Sequence, residues 1–378
     1  MNRYIFTIAV VLAVTASAAA ITVDGTRDAE YGAAIAVQAV DTQFGDADPP
    51  TNLGGSELNA AYASIEGGRL YILLTGNHEP NFNKLDIFID SVAGGENVLS
   101  ATPQYDFMTH PGFWNSQQLG GFTFDTGFTA DYHLFTRWGG GNTPGAYEAD
   151  FVNRQGGANV MVPGSSEATA ASGDLIKAGA IPAGDVGPNA SGTALTQNLE
   201  FAIDNNNELG VFGGTGPADP VAAAAVTTGM EFSIALADIG NPSSASQIKI
   251  SAMINNSNHS YLSNQFLGSL TPSQNNLGID GTGQSLFGFG DIDENGTLDA
   301  ADYVRWRNFD TPGQVDYDRW KANFGGSIPR INLNTFAGDQ FFTITVPGIG
   351  AASAVPEPGS AVLALVAGLG VCGMVRRR

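Results

Sequence analysis

The sequence predicts a mainly β protein: an antiparallel β-sandwich of jelly-roll-like type, with one small inserted helical hairpin and a C-terminal membrane helix. Three observations predict it. The 378 residues include 49 glycines and only 14% charged residues, a turn-rich composition that suits short strands better than long surface helices. Apolar residues alternate with period two, as at Leu85, Ile87 and Ile89 and at Phe232, Ile234 and Leu236, which is the pattern of half-buried strands. The strand candidates are evenly scattered, with few helical stretches between them.

Taken in chain order, residues 1–20 form a secretory signal peptide. A single Arg3 precedes an apolar run over 4–14, and small residues end in Ala18, Ala19 and Ala20, the expected cleavage point. Residues 21–289 are expected to form the sandwich. Its candidate strands are RLYILLTG at 69–76, LDIFID at 85–90, ADYHLFTRW at 130–138, LEFAID at 199–204, MEFSIALADIG at 230–240 and QIKISAMIN at 247–255, separated by Gly, Asn and Pro. Residues 139–198 are rich in Gly, Ala and Asn and are expected to be long loops. A helical hairpin is expected over 290–326. Beyond it, Phe342, Ile344 and Val346 alternate with Phe341, Thr343 and Thr345. A lone strand has no stability of its own, so the segment 338–348 is expected to complete the sandwich, with a strand near the N-terminus as a candidate partner. The hairpin then becomes an insertion at an exposed turn, GIDGTGQ at 278–284.

Residues 355–378 end the chain with an apolar run at 360–375 and then Arg376, Arg377 and Arg378. Sixteen residues of helix span about 24 Å, slightly short of a bilayer core of about 30 Å, a gap that snorkelling arginines close. Arginines favour the cytoplasmic side, so the body of the chain is expected outside the cell, in agreement with the signal peptide.

Charge and cysteine narrow the function. Asp and Glu number 37 against 16 Lys and Arg, a net charge of −21; such a surface repels nucleic acid and anionic lipid and favours divalent cations. The single Cys372 lies in the apolar run, so no intramolecular disulfide forms, and stability outside the cell must come from the core and from metal. No G-x-S-x-G, H-E-x-x-H or P-loop pattern is present, and His78, His110, His133 and His259 are scattered singly. The chain is therefore expected to be non-catalytic.

One stretch carries a specific chemical signal, DIDENGTLDAAD at 291–302. With Asp291 as position 1, Asp293 falls at 3, Asn295 at 5, Gly296 at 6, Thr297 at 7, Asp299 at 9 and Asp302 at 12. This is the EF-hand-type register: alternate positions supply the hard oxygens that calcium needs, glycine makes the turn, and position 7 donates its backbone carbonyl. Calcium is the expected ion, with Asp291, Asp293, Asn295, Thr297, Asp299 and Asp302 as its ligands. Asp299 has a second available role as cap of the helix that follows.

That helix resembles a half-repeat of type I dockerins. Asp302-Tyr303-Val304-Arg305-Trp306-Arg307 is echoed 14 residues later by Asp316-Tyr317-Asp318-Arg319-Trp320-Lys321, and WKANFGG closes the pair. Dockerins carry two calcium loops, whereas here only FDTPGQVD joins the halves. The second site is missing, and a cohesin-binding role does not carry over with it. Trp306 and Trp320 are expected to pack the two helices together.

The tail VPEPGSAVLALVAGLGVCGMVRRR, with Val355, Pro356, Glu357 and Pro358 at its head, closely resembles the PEP-CTERM sorting signal of bacterial surface proteins. The resemblance implies processing by a membrane exosortase and delivery to the envelope or exopolysaccharide. Over the large domain, VDGTRDAEYG, GGRLYILLTGN, KLDIFIDS and EFSIALADIG resemble a β-sandwich carbohydrate-binding module of family nine. That family holds sugar between two tryptophans, and the large domain has two, Trp114 and Trp138; packing in the core or in a loop is their expected role, and a sugar platform is the alternative. The expected function is that of an exported, exosortase-sorted, envelope- or exopolysaccharide-associated protein with a calcium-stabilised segment. A carbohydrate-binding surface module is the alternative, and a secreted glycoside hydrolase, needing two carboxylates in one cleft, is the third reading.

Overall fold

The structure is a computed structural model and describes residues 20–45, 54–101, 116–140, 145–155, 164–168, 174–184, 194–268, 270–308 and 313–347. The strands in chain order are β1 (Ala36–Val37), β2 (Glu57–Glu66), β3 (Arg69–Asn77), β4 (Lys84–Asp90), β5 (Tyr132–Trp138), β6 (Tyr147–Asn153), β7 (Gly164–Ala168), β8 (Ile176–Ile181), β9 (Leu199–Asp204), β10 (Gly229–Ala235), β11 (Gln247–Asn255), β12 (Leu262–Leu267) and β13 (Phe342–Thr345). The helices are α1 (Pro220–Ala225), α2 (Leu286–Phe289), α3 (Ala300–Asn308) and α4 (Gln314–Asn323). The protein is thus mainly β with few helices.

Two antiparallel sheets hold the strands. One runs β1-β2-β3-β10-β9-β8; the other runs β12-β11-β4-β5-β6-β7, with β13 beside β11. Their inner faces supply one core. Leu70, Ile72 and Leu74 of β3, Phe232 and Ile234 of β10 and Phe201 of β9 meet Leu85, Ile87 and Ile89 of β4, Leu134 of β5 and Ile248, Ile250 and Ile254 of β11. Period-two alternation aims these side chains to one side of each strand. All six strands expected from the pattern are present, though the one expected over 230–240 ends at Ala235 and Leu236–Ile239 is a turn of 3-10 helix.

The outer face of the second sheet is also covered. Phe88 of β4, Met253 of β11 and Phe266 of β12 pack beneath Phe122, Phe124, Phe128, Leu277, Ile331 and Leu333, so β5 is buried along its whole length. On the first sheet, Ile21 and Tyr31 lie over Ala60, Tyr62 and Leu73. A strand covered on both faces reads as a run of burial rather than an alternation, which is how Asp86 and His133 come to be buried on the far side of β4 and β5.

The expectation of loops throughout 139–198 is corrected. That stretch holds β6, β7 and β8, and Tyr147, Ala149 and Phe151 of β6 enter the core. The alternation exists, but surrounding Gly, Ala and Asn dilute it. Three other strands were not expected either, β2, β12 and the two-residue β1. β2 is alanine-rich, and alanine has little strand preference of its own; its hairpin to β3 turns through Gly67 and Gly68 at φ +57° and +79°, the left-handed pair a two-residue turn needs. β12 buries Ser263, Asn264 and Gln265, polar residues kept inside because they satisfy backbone: Leu58 N–H donates to Gln265 Oε1 at 3.1 Å, and Asn264 Nδ2 donates to Asp41 O at 2.7 Å.

Between β12 and β13 the chain leaves the sheet. Ser285 caps α2, Gly290 ends it at φ +93°, and α3 and α4 follow. Leu298 and Ile328 then pack on Ile279 and Leu286. β13 pairs with β11, Phe342 opposite Ile250 and Thr345 opposite Gln247. Its partner is this central strand of the second sheet, not one near the N-terminus. No helix among the described residues is long and apolar enough to cross a membrane; residues 348–378, which include the expected membrane helix, lie outside them, as do residues 1–19.

Candidate metal centre

The loop 291–302 is built by its own side chains. The Asp291 carboxylate accepts Asn295 N–H at 3.0 Å and Gly296 N–H at 2.7 Å. Asn295 Oδ1 accepts Thr297 N–H at 2.8 Å, and Gly296 makes the turn at φ +86°, a conformation that favours glycine. Asp302, in the first turn of α3, reaches back: Oδ1 accepts Ile292 N–H at 2.7 Å and Oδ2 accepts Asp299 N–H at 2.8 Å. Asp299 caps α3 through a 2.7 Å bond from Ala301 N–H.

These bonds draw Asp291, Asp293 and Asp302 together so that one carboxylate oxygen from each lies within 4.8 Å of the others; among the described residues they form the one such group of His, Cys, Asp or Glu. Burial pushes the Asp291 carboxyl up to about 7, the charges of Asp302 and Asp293 add to the rise, and the Gly296 and Asn295 N–H groups oppose it. Burial and Asp302 also raise Asp293. Calcium–oxygen bonds of about 2.3–2.6 Å place ligating oxygens up to about 5 Å apart, so the triad fits a single hard cation and would relieve its own repulsion by holding one. Asn295 and Thr297 stand on the same turn, while the Asp299 carboxylate is engaged as the cap.

Aromatic packing fixes the loop from the helix side. Tyr303 lies 5.2 Å from Trp320 and Trp306 lies 4.9 Å from Tyr317, ring centroid to ring centroid. Trp320 Nε1 donates to Asp299 O at 2.7 Å, so both tryptophans hold the helices together and one also ties down the loop. On the sandwich side, Asn258 Nδ2 donates to Glu294 Oε2 at 3.1 Å, and Arg330 Nη1 donates to Gln118 O at 3.3 Å while Nη2 approaches Gly296 O at 3.5 Å. Asp316, the counterpart of Asp302, pairs with Arg319 at 3.2 Å, a role that needs no ion.

Of the remaining candidates, Trp138 is among the described residues. Trp138 is fully buried in the inter-sheet core, its Nε1 donating to Gly145 O at 3.2 Å, so it offers no face to a sugar. Trp114, His110 and the motif Val355, Pro356, Glu357 and Pro358 lie outside the described residues.

Sequence reasoning missed one polar cluster. His133 of β5 and His259, in the turn after β11, each donate Nε2–H to the same Asp86 Oδ1 at 2.9 Å, and all three side chains are buried. Burial alone would raise the Asp86 carboxyl, but the two imidazoles hold it below the ordinary carboxylate range; burial lowers His133 to about 4 against the pull of Asp86. His133 and Asp86 share the outer face of neighbouring strands, while His259 arrives from a distant turn at φ +58°. No spacing in the sequence announces that meeting. Compared with protein-family models, with curated proteins and with solved structures, the chain matches none.

Proposed function

We propose that this is an exported, non-catalytic surface protein of the cell envelope or exopolysaccharide, in which a jelly-roll-like sandwich is the scaffold and a dockerin-like calcium segment is its staple. One observation supports the reading above the others: three carboxylates converge in a twelve-residue loop whose sixth residue is a left-handed glycine. Asp291, Asp293, Asn295, Asp302 and the Thr297 carbonyl are the groups that would hold calcium, which when bound supplies charge compensation and order rather than chemistry. Asp299 belongs to the register, with its carboxylate serving the helix. Titration calorimetry should record at least one calcium-binding event that Asp291→Asn with Asp302→Asn removes; an unchanged event in the double variant rejects the site.

The tail belongs to the same proposal. With Val355, Pro356, Glu357 and Pro358 as the recognised motif, an exosortase-type enzyme is the processing partner and the apolar run at 360–375 holds the chain in the membrane until processing. Replacing Pro356, Glu357 and Pro358 with alanine should leave an untrimmed, membrane-retained protein. Normal trimming of that variant makes the tail an ordinary anchor. Polysaccharide is the ligand class of the alternative reading, which loses Trp138 as a platform through its burial.

A further inference from the structure

Beneath the cover of the second sheet, between the turn at Ser116–Leu119 and the segment that carries Arg330 and Ile331, lies a small cavity lined by Gln118, Phe122, Asn255, His259, Ile279 and Arg330, among others. Its space admits about one water-sized group. Most of its wall is apolar, yet two of the residues that line it each carry a buried polar atom with no partner, Gln118 Oε1 and His259 Nδ1, and are 2% and 1% exposed.

The chemistry of the two orphans is the same. His259 Nε2 lies 2.9 Å from Asp86 Oδ1, and an ionised carboxylate only accepts, so Nε2 carries the hydrogen. In the neutral ring Nδ1 is then a bare acceptor. Gln118 Oε1 is an acceptor too, and Arg330 lines the same cavity, its Nη1 donating to the Gln118 backbone carbonyl at 3.3 Å. Two acceptors left dry are unfavourable, because each forfeits a hydrogen bond that it makes in water.

We infer that this cavity is a built site for one internal water, which donates one O–H to Gln118 Oε1 and the other to His259 Nδ1. Other small species fit less well. An alcohol hydroxyl brings a single donor hydrogen, and an ammonium ion places a second positive charge beside Arg330. Water brings two donors and keeps two lone pairs, for which the Arg330 guanidinium at the rim supplies N–H groups. The water has a consequence for the cluster behind it: it holds His259 in the tautomer that donates to Asp86, so the chain His133, Asp86, His259, water and Gln118 ties β4 and β5 to the covering layer.

Crystals of the full chain test this twice over. Electron density is expected at a point within hydrogen-bonding reach of both Gln118 Oε1 and His259 Nδ1, and xenon pressurisation is expected to leave the cavity unchanged, since dry apolar cavities take up xenon and hydrated polar ones do not. With only four histidines in the chain, nitrogen-15 spectra can be assigned by substitution; His259 should show a protonated Nε2 and a hydrogen-bonded, unprotonated Nδ1, and Gln118→Leu should shift the Nδ1 resonance. The wild-type measurements stand alone if that variant fails to fold. A dry cavity that accepts xenon, a protonated Nδ1 at His259, or an organic molecule filling the space overturns the assignment.

Discussion

His78 is sealed between the sheets, and its Nε2 donates to Asn83 O at 2.8 Å. Burial lowers it to about 4, with the Asn83 bond and the Asp86 charge opposing. An unfolded imidazole takes a proton near pH 6.5, whereas the folded one resists until about 4. Between those values the unfolded state holds more protons, so stability rises with pH there and is lost on acidification, by up to roughly 3 kcal/mol for such a histidine. His78→Gln keeps a donor at the Nε2 position and cannot be protonated. Urea-unfolding midpoints taken across the range should show a shallower acid limb in the variant; an identical limb rejects the neutral, buried His78. At this scale the convergence of Asp291, Asp293 and Asp302 was legible in the sequence because they lie within twelve residues of one another. The Asp86, His133 and His259 cluster was not, because its members meet only after two neighbouring strands and a turn have been placed.

Among the elements, the hairpin of α3 and α4 shows how little burial such a unit needs. α3 buries only Asp302 and α4 buries no residue fully; half-buried aromatic rings and side-chain bonds to backbone hold the pair. Gly290 is where the hairpin meets the end of α2. A Cβ there would lie 2.4 Å from Trp320 N, and φ at +93° is already unfavourable for an L side chain. Gly290→Ala should therefore push α4 away and cost more than about 2 kcal/mol, read as a loss of tryptophan fluorescence shift and a lower unfolding midpoint. A variant as stable as the parent would show that α4 does not press on this turn. The elements that the pattern revealed were those with Leu, Ile, Val and Phe at alternate positions; β2, β6 and β12 stayed hidden because alanines, diluting glycines and backbone-bonding amides do their packing.

For the whole molecule, β13 is the strand that binds the chain's late segment to its middle. It pairs with β11 over Gln247 to Ile250 and buries Phe342 in the core, where Val346 just after it is also buried. Deleting 338–348 should destabilise the sandwich by about 3 kcal/mol or more, from two lost core side chains and a row of ladder bonds. Excising 290–326 behind a short glycine linker should cost less, because its core contribution rests mainly on Ile292 and Leu298. Calorimetric unfolding of the two deletions decides the order, and a larger loss from the excision overturns it.

By itself the sequence determined the mainly β class, six of the strands, the acidic loop with its glycine and the return of a late strand to a sheet. Each is a local pattern, written in residue spacing and needing no distant partner. Only the tertiary structure decided that β13 joins β11, that 139–198 holds three strands, that Trp138 is core and that Asp86 receives two histidines. Those outcomes depend on which faces become covered on both sides, and burial by residues more than a hundred positions away leaves no periodic trace in the chain that is buried.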